Sequence, residues 1–364
     1  MKKWLWVVSV LFICGLITPA QAKKGFNSQK SQALIAAAAK GDAQQVRELR
    51  QRKDVDVNAK DAEGRTSLMY AVGLGHTDVL KELLQRDDLK VNEWDSQGET
   101  ALMYVARSGS VNCLKLLLTR DDLELNAYDD KGETALMYGV KSGSEEVVWT
   151  LLHKRDGTPR TDLNINAQEM DGKTALMIAA DRNDDKIVRT LFTRDDLNAN
   201  ARDKAKMTAL MYAAGFPNVV RAILTKEDGS SRTGVNVNAK DIDGETALMY
   251  AAGFGPMEGI LEFFKRDDLL VNATDNDGKT ALMYAAANGR TGAVWELLQR
   301  DDVNLYARDH KDLSALDHAK LMAKKYPEYS KYPLTVKIIE QEMNKRQARE
   351  ERVVTLKMKE AFAN

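Results

Sequence analysis

The residues best supplied for chemistry in this chain are its carboxylates. The most regular of them sit in the triplet Arg-Asp-Asp, which begins at Arg86, Arg120, Arg194, Arg266 and Arg300. Recurrent aspartates of this kind suggest calcium, a hard cation that takes about six to eight oxygens from one compact loop. One triplet supplies too few, and helical units packed about 10 Å apart cannot share an ion. The better reading places each arginine near the end of a helix, where it complements the dipole, and uses the aspartates to fold the following turn. Histidine adds little. Of His76, His153, His310 and His318, the last two stand eight residues apart, with no carboxylate or cysteine at metal-ligand spacing. No phosphate-cradling glycine loop or nucleophile elbow occurs. Catalytic residues, metals and cofactors are therefore not expected, and neither is an enzyme.

A second series pairs methionine with tyrosine after each Thr-Ala-Leu. Tyr70, Tyr104, Tyr138, Tyr212, Tyr250 and Tyr284 hold one position, interrupted by Ile178. The methionines read as core filler. The tyrosines read as a half-buried stack between neighbouring helices or as an aromatic floor for a peptide or protein ligand. The two readings are compatible.

A repeat positions both series. The threonine or serine of Gly-x-Thr-Ala-Leu-Met falls at Thr66, Thr100, Thr134, Thr174, Thr208, Thr246, Thr280 and Ser314, with spacings of 34, 34, 40, 34, 38, 34 and 34. The unit at 95–128 shows the physics. Gly98 permits a turn that a Cβ would penalise, and Thr100 caps a helix N-terminus. Leu102, Val105 and Ala106 share one face of a short first helix, which Gly109 ends. Val111, Leu114, Leu117 and Leu118 lie at helical spacing on a second. Neither helix buries its apolar face alone, so the units must stack.

These units resemble ankyrin repeats. The match is carried by Asp95, Gly98, Thr100, Ala101, Leu102, Ala106, Gly109, Leu117 and Leu118, with Val91 and Asn92 from the preceding unit. It covers about residues 31–322, as an N-terminal capping half-repeat (23–60), seven repeats (61–309) and a degenerate capping repeat (310–325). Ala and Met stand where the family usually has Pro and His. Most units exceed the usual length of about 33 by one residue. The unit after Thr208 has Lys206 for its turn glycine and runs two residues short, so it is expected to be the least regular. The resemblance implies an all-α solenoid of stacked helix pairs with short hairpin tips. It also implies a non-catalytic protein-protein interaction scaffold that binds an unknown protein partner on its concave face. An inhibitor or immunity-type protein that occludes a periplasmic or toxic enzyme is the alternative.

In ankyrin arrays the hairpin tips and the end of the first helix form the usual binding surface. The resemblance maps that surface onto Trp94, Arg107, Tyr128, Lys141, Arg182, Phe216 and Phe254. Four of these are aromatic, which suits contact residues. The two long units carry similar polar insertions around 155–161 and 227–233. These read as tolerated surface loops, with a functional face as the other reading.

The ends differ from the array. Residues 1–22 read as a cleavable signal peptide: Lys2 and Lys3, an apolar stretch at 4–17, then Ala20-Gln21-Ala22. The stretch is too short for a comfortable membrane span. A periplasmic or secreted location is expected, with no membrane insertion after cleavage. Loss of Lys2 and Lys3 takes the formal charge from −1 to −3, and Cys113 remains as the one cysteine, so no intrachain disulfide forms. Fifty-three basic against 54 acidic residues argue against nucleic acid as a partner. Residues 326–364 read as a turn-rich connector with Tyr326, Tyr329 and Tyr332-Pro333, then a C-terminal helix over 334–362. That helix is read as folding back to cap the array, with Val336, Ile339 and Met343 on one face, in preference to a free partner-binding helix.

Overall fold

The computed structural model describes residues 19–363. Most of the expected signal peptide, residues 1–18, lies outside the described residues. The chain divides into two compact units, Met1–Met170 and Asp171–Asn364. The first holds helix pairs α1 (Pro19–Lys40) and α2 (Ala43–Arg50), α3 (Ser67–Gly73) and α4 (Thr77–Leu83), α5 (Ala101–Ser108) and α6 (Val111–Leu117), α7 (Ala135–Ser142) and α8 (Glu145–Leu152). The second holds α9 (Ala175–Asp181) and α10 (Asp185–Leu191), α11 (Ala209–Tyr212) and α12 (Pro217–Leu224), α13 (Ala247–Phe254) and α14 (Met257–Phe264), α15 (Ala281–Ala287) and α16 (Thr291–Leu298), α17 (Ala315–Lys325) and α18 (Lys331–Ala363). Among the described residues, extended pairing is confined to isolated bridges such as Trp94 with Thr100 and Tyr128 with Thr134. The chain is an all-α stack of helix pairs with hairpin tips. The unit expected as a half-repeat at 23–60 is a complete pair, and its first helix begins at Pro19, before the expected cleavage point.

From α3 to α15 each first helix starts just after its repeat's threonine, which caps it. The Thr66, Thr134, Thr174, Thr246 and Thr280 hydroxyls accept the backbone N–H three residues on. The methionine at that third position returns the contact. Met69, Met103, Met211, Met249 and Met283 Sδ accept the backbone N–H of the capping threonine at 3.3–3.5 Å. The methionines are thus helix caps as well as buried filler.

Neighbouring repeats are joined by three recurring polar ties. Tip backbones bond directly, as Ser96 N–H to Glu63 O (2.9 Å) and Asn276 N–H to Asp243 O (2.9 Å). An asparagine amide clamps the next repeat: Asn58 donates to Asp88 O (2.7 Å) and accepts from Lys90 N–H (2.8 Å), and Asn238 does the same with Asp268 and Leu270. The arginine of Arg-Asp-Asp is the third tie. Arg266 is held by both oxygens of Asp268 at 2.8 Å while it donates to Arg232 O (2.8 Å) and Val235 O (3.1 Å) of the repeat before. Arg86 and Arg120 behave alike. The second aspartate is therefore spent on its own arginine, and that arginine staples carbonyls that would otherwise be left unpaired.

The irregular repeat shows its departures. Lys206 adopts φ +61° where Gly64, Gly98, Gly132, Gly172, Gly244 and Gly278 hold the turn of other repeats, as Asp312 does at +60° in the last one, at a cost of about 1 kcal/mol. Its first helix is a single turn, α11, followed by a 3-10 turn at Ala213–Gly215.

At the C-terminus α18 begins at Lys331, so Tyr332 and Pro333 lie in its first turn and not in the connector expected from sequence. The first turn tolerates proline, which lacks an N–H, because backbone N–H groups there have no helical partner to lose. Tyr332, Thr335 and Ile339 are buried, with Val336 and Met343 half-buried. Arg346 donates to Leu298 O (3.1 Å), Arg300 O (3.0 Å) and Val303 O (2.9 Å). It thereby takes the place that the Arg-Asp-Asp arginine of a following repeat would fill, with Glu342 as its carboxylate. The helix caps the stack to this point, and residues 347–355 beyond it are exposed.

Candidate functional site

The tips and first helices carry the surface singled out by sequence. Its floor is a chain of carboxylate–phenol bonds. In each regular repeat the aspartate that opens the tip accepts two backbone N–H groups on Oδ1 and the tyrosine hydroxyl nine residues on at Oδ2. Asp95 takes Gln97 and Glu99 N–H at 2.9 Å and Tyr104 at 2.7 Å. The pairs Asp61–Tyr70, Asp129–Tyr138, Asp203–Tyr212, Asp241–Tyr250 and Asp275–Tyr284 repeat this at 2.6–2.8 Å. In the last repeat His318 stands in for tyrosine, 2.8 Å from Asp309. Where the tyrosine is Ile178, the opening residue is Glu169 instead. Burial first, and then the hydrogen-bonded carboxylates, push the Tyr104, Tyr138, Tyr250 and Tyr284 phenols well above their ordinary pKa. Tyr104 lies against the first helix of the repeat before: a Cβ added at Gly73 would come within 3.0 Å of its ring.

Above this floor, in the first unit, lies a set of ion pairs. The Tyr138 hydroxyl also lies 2.7 Å from Glu99, and Glu99 pairs with Arg107. The Arg107 guanidinium lies over the rings of Tyr138 (4.5 Å) and Tyr104 (5.3 Å). Lys141 pairs with Glu133. Arg107 and Lys141 are thus already neutralised by partners on the same face. Sequence reasoning overlooked Glu99 and Glu133, which hold the variable position just before the capping threonine. That position varies in charge among Arg65, Glu99, Glu133 and Lys173, and this was the signal available.

The aromatic candidates separate into two groups. Trp94 (62% exposed), Tyr128 (72%) and Phe254 (67%) project from the surface. Trp94 and Tyr128 occupy the same tip position in adjacent repeats, and Lys60 steadies Trp94 from the repeat before, bonding its carbonyl at 2.7 Å. Phe254 is the last residue of α13. Phe216 differs: it is half-buried, and its N–H bonds Ala213 O (2.7 Å) as the chain enters Pro217 of α12. Arg182 caps the C-terminus of α9 and is exposed. Arg107 and Lys141 follow their capping threonine by seven residues, whereas Arg182, Phe216 and Phe254 follow it by eight. The candidates therefore occupy two different positions of the helix end.

Among the described residues no group of histidine, cysteine and carboxylate side chains is arranged to hold a metal, and no helix is long and apolar enough to cross a membrane. The lone thiol, Cys113, is buried. A family model described as ankyrin repeats in three copies matches residues 7–95, 86–162, 159–233 and 231–309. No curated protein matches the chain.

Proposed function

The chain belongs to the ankyrin-repeat family, and on that premise we propose that it is a non-catalytic protein-protein interaction scaffold of the bacterial cell envelope. Protein partners are what the family implies. The partner is bound on the concave ankyrin face; the contact residues are Trp94 and Tyr128 within the first unit and Phe254 within the second, where Arg182, which makes no ion pair among the described residues, orients the partner. Arg107 and Lys141, each held by a glutamate, define the polarity of the face. One observation carries this reading: three large aromatic side chains stay exposed and take part in none of the three recurring ties between repeats. The envelope location rests on the residues of the 1–22 segment.

The test sets stability against affinity. Leu102 is fully buried, so Leu102→Ala should cost about 2–5 kcal/mol of stability. Trp94→Ala, Tyr128→Ala and Phe254→Ala should each leave stability within about 1 kcal/mol yet weaken binding of a partner captured from an envelope extract by about 2 kcal/mol. Aromatic variants that melt early and bind normally would overturn the surface. Fractionation that finds the chain with Met1 intact in the cytoplasm would overturn the location.

A further inference from the structure

The second helices carry a different surface, and in the first unit it is shaped by the insertion at 154–160. The insertion is a closed hairpin and not a loose loop. Lys154 N–H bonds Thr158 O (2.8 Å), His153 bridges to Pro159, and Arg160 N–H returns to Leu152 O (2.7 Å). Asp156 Oδ1 accepts both the backbone N–H (2.9 Å) and the hydroxyl (2.7 Å) of Thr158. Gly157 sits at the tip with φ +81°.

The hairpin walls a groove of about 780 Å³ between α6 and α8. Leu118 and Thr150 line it, and on one side stands the Trp149 indole, 45% exposed and stacked on the buried His153 ring at 3.8 Å. The stack holds the indole in one orientation while leaving nearly half of it to solvent. Four cations surround it from three segments: Lys115 on α6, Lys154 and Arg155 on the outgoing limb of the hairpin, Arg160 on the returning limb. One carboxylate, Glu146, lines the same groove and meets Lys115 at 3.1 Å. Lys154 and Arg155 are exposed and make no ion pair among the described residues. The Arg155 guanidinium instead lies 3.5 Å from the Lys115 carbonyl. The whole chain is close to neutral, so the positive charge is a local feature of this groove.

We propose that this groove is a second docking site, independent of the concave face, and that it takes an extended acidic peptide segment bearing one apolar side chain. The apolar side chain packs on Trp149 while carboxylates on either side reach Lys154 and Arg155 across the groove from Lys115 and Arg160. Cations spread over three segments suit several carboxylates along a chain, whereas a phosphate group requires donors converging on one point. A fixed, half-exposed indole beside arginine and lysine has the composition of an interface anchor.

The experiment uses the full chain and a fluorescein-labelled peptide of six glutamates flanking one phenylalanine, read by anisotropy. Saturable binding that weakens as salt is raised is expected. Trp149→Ala and the double variant Lys154→Glu/Arg155→Glu should each lower the affinity about tenfold or more, the double variant at unchanged melting temperature because both of its side chains are exposed. Trp94→Ala, on the other surface, should bind the peptide normally. The proposal is overturned if the peptide does not bind saturably or if the groove variants bind it like the wild type. Tripolyphosphate that displaces the peptide and binds the Trp149→Ala variant as tightly as the wild type would equally overturn it, by revealing a plain anion site.

Discussion

The two insertion-bearing repeats share one backbone and present different surfaces. In the second unit Lys226 N–H bonds Ser230 O, Arg232 N–H returns to Leu224 O, and Asp228 holds Ser230 by N–H and hydroxyl, bond for bond as in the first. Gly229 even repeats the φ of +81° seen at Gly157. The side chains then part. Trp149 becomes Arg221, His153 becomes Thr225, Arg155 becomes Glu227, and Leu118 of the preceding repeat becomes Phe192. Arg221 is taken up by Glu262 of the following repeat at 2.7 Å. Arg232 lies over the Phe192 ring at 3.8 Å, its Nε without a hydrogen-bond partner among the described residues. Burial, and then the nearby Arg189 charge, pull its pKa below the ordinary arginine value. The same hairpin thus accompanies an exposed indole among cations in one unit, whereas in the other Arg221 and Arg232 are taken up by internal contacts. A hairpin fixes where side chains begin; their neighbours decide whether any charge is left for a ligand.

The largest effect that would break this comparison lies in the shared scaffold. Leu151 and Ile223 are equivalent and both fully buried, so Leu151→Ala and Ile223→Ala should each cost about 2–5 kcal/mol in denaturant unfolding. A clearly smaller loss at Ile223 would show that the single-turn α11 already leaves its repeat loosely packed. Next in size are the hairpin glycines. A Cβ at Gly157 or Gly229 meets nothing within 4 Å, so alanine there pays only for the left-handed backbone, about 1 kcal/mol. Unequal costs would mean that the two hairpins are not the same device. The smallest effect is confined to the second repeat. Burial alone would push the Glu262 carboxyl up, but its bonds from Arg221 and Lys265 outweigh that and hold it below the ordinary glutamate value. Because the folded-state pKa is the lower one, the contribution is present above about pH 4.5 and is lost as pH falls through the folded-state value. Arg221 is half-exposed, so Arg221→Ala should remove less than about 1 kcal/mol at neutral pH and should flatten the melting profile below pH 4.5. An unchanged acid limb would show that the pair adds nothing.

The threonine caps and the turn glycines were legible because each depends on residues within a few positions, as Thr66 and Met69 show. The irregular unit was legible for the same reason, since Lys206 and the missing residues are visible along the chain. The surface was read less well. Phe216 resembled Phe254 in sequence but is half-buried, because the shortened α11 draws it in towards Pro217. Arg107 and Lys141 looked available until Glu99 and Glu133 were found beside them. The Asp–Tyr bonds were missed because nine residues separate partners that only a folded tip and helix bring together.

The period near 34 residues determined, by itself, that helix pairs stack on their neighbours: an apolar face that recurs at a fixed interval can be buried only by the adjoining copy. It also determined that Arg-Asp-Asp recurs at the exit of the second helix. Only the tertiary structure decided what those groups do. Arg266 reaches carbonyls 31 and 34 residues back, Arg221 finds Glu262 at a separation of 41, and Arg346 closes the stack across 43 to 48 residues. Such long side chains meet whatever the neighbouring repeat presents. Whether a charge is spent or left for a partner is therefore a property of two stacked repeats and of neither sequence alone.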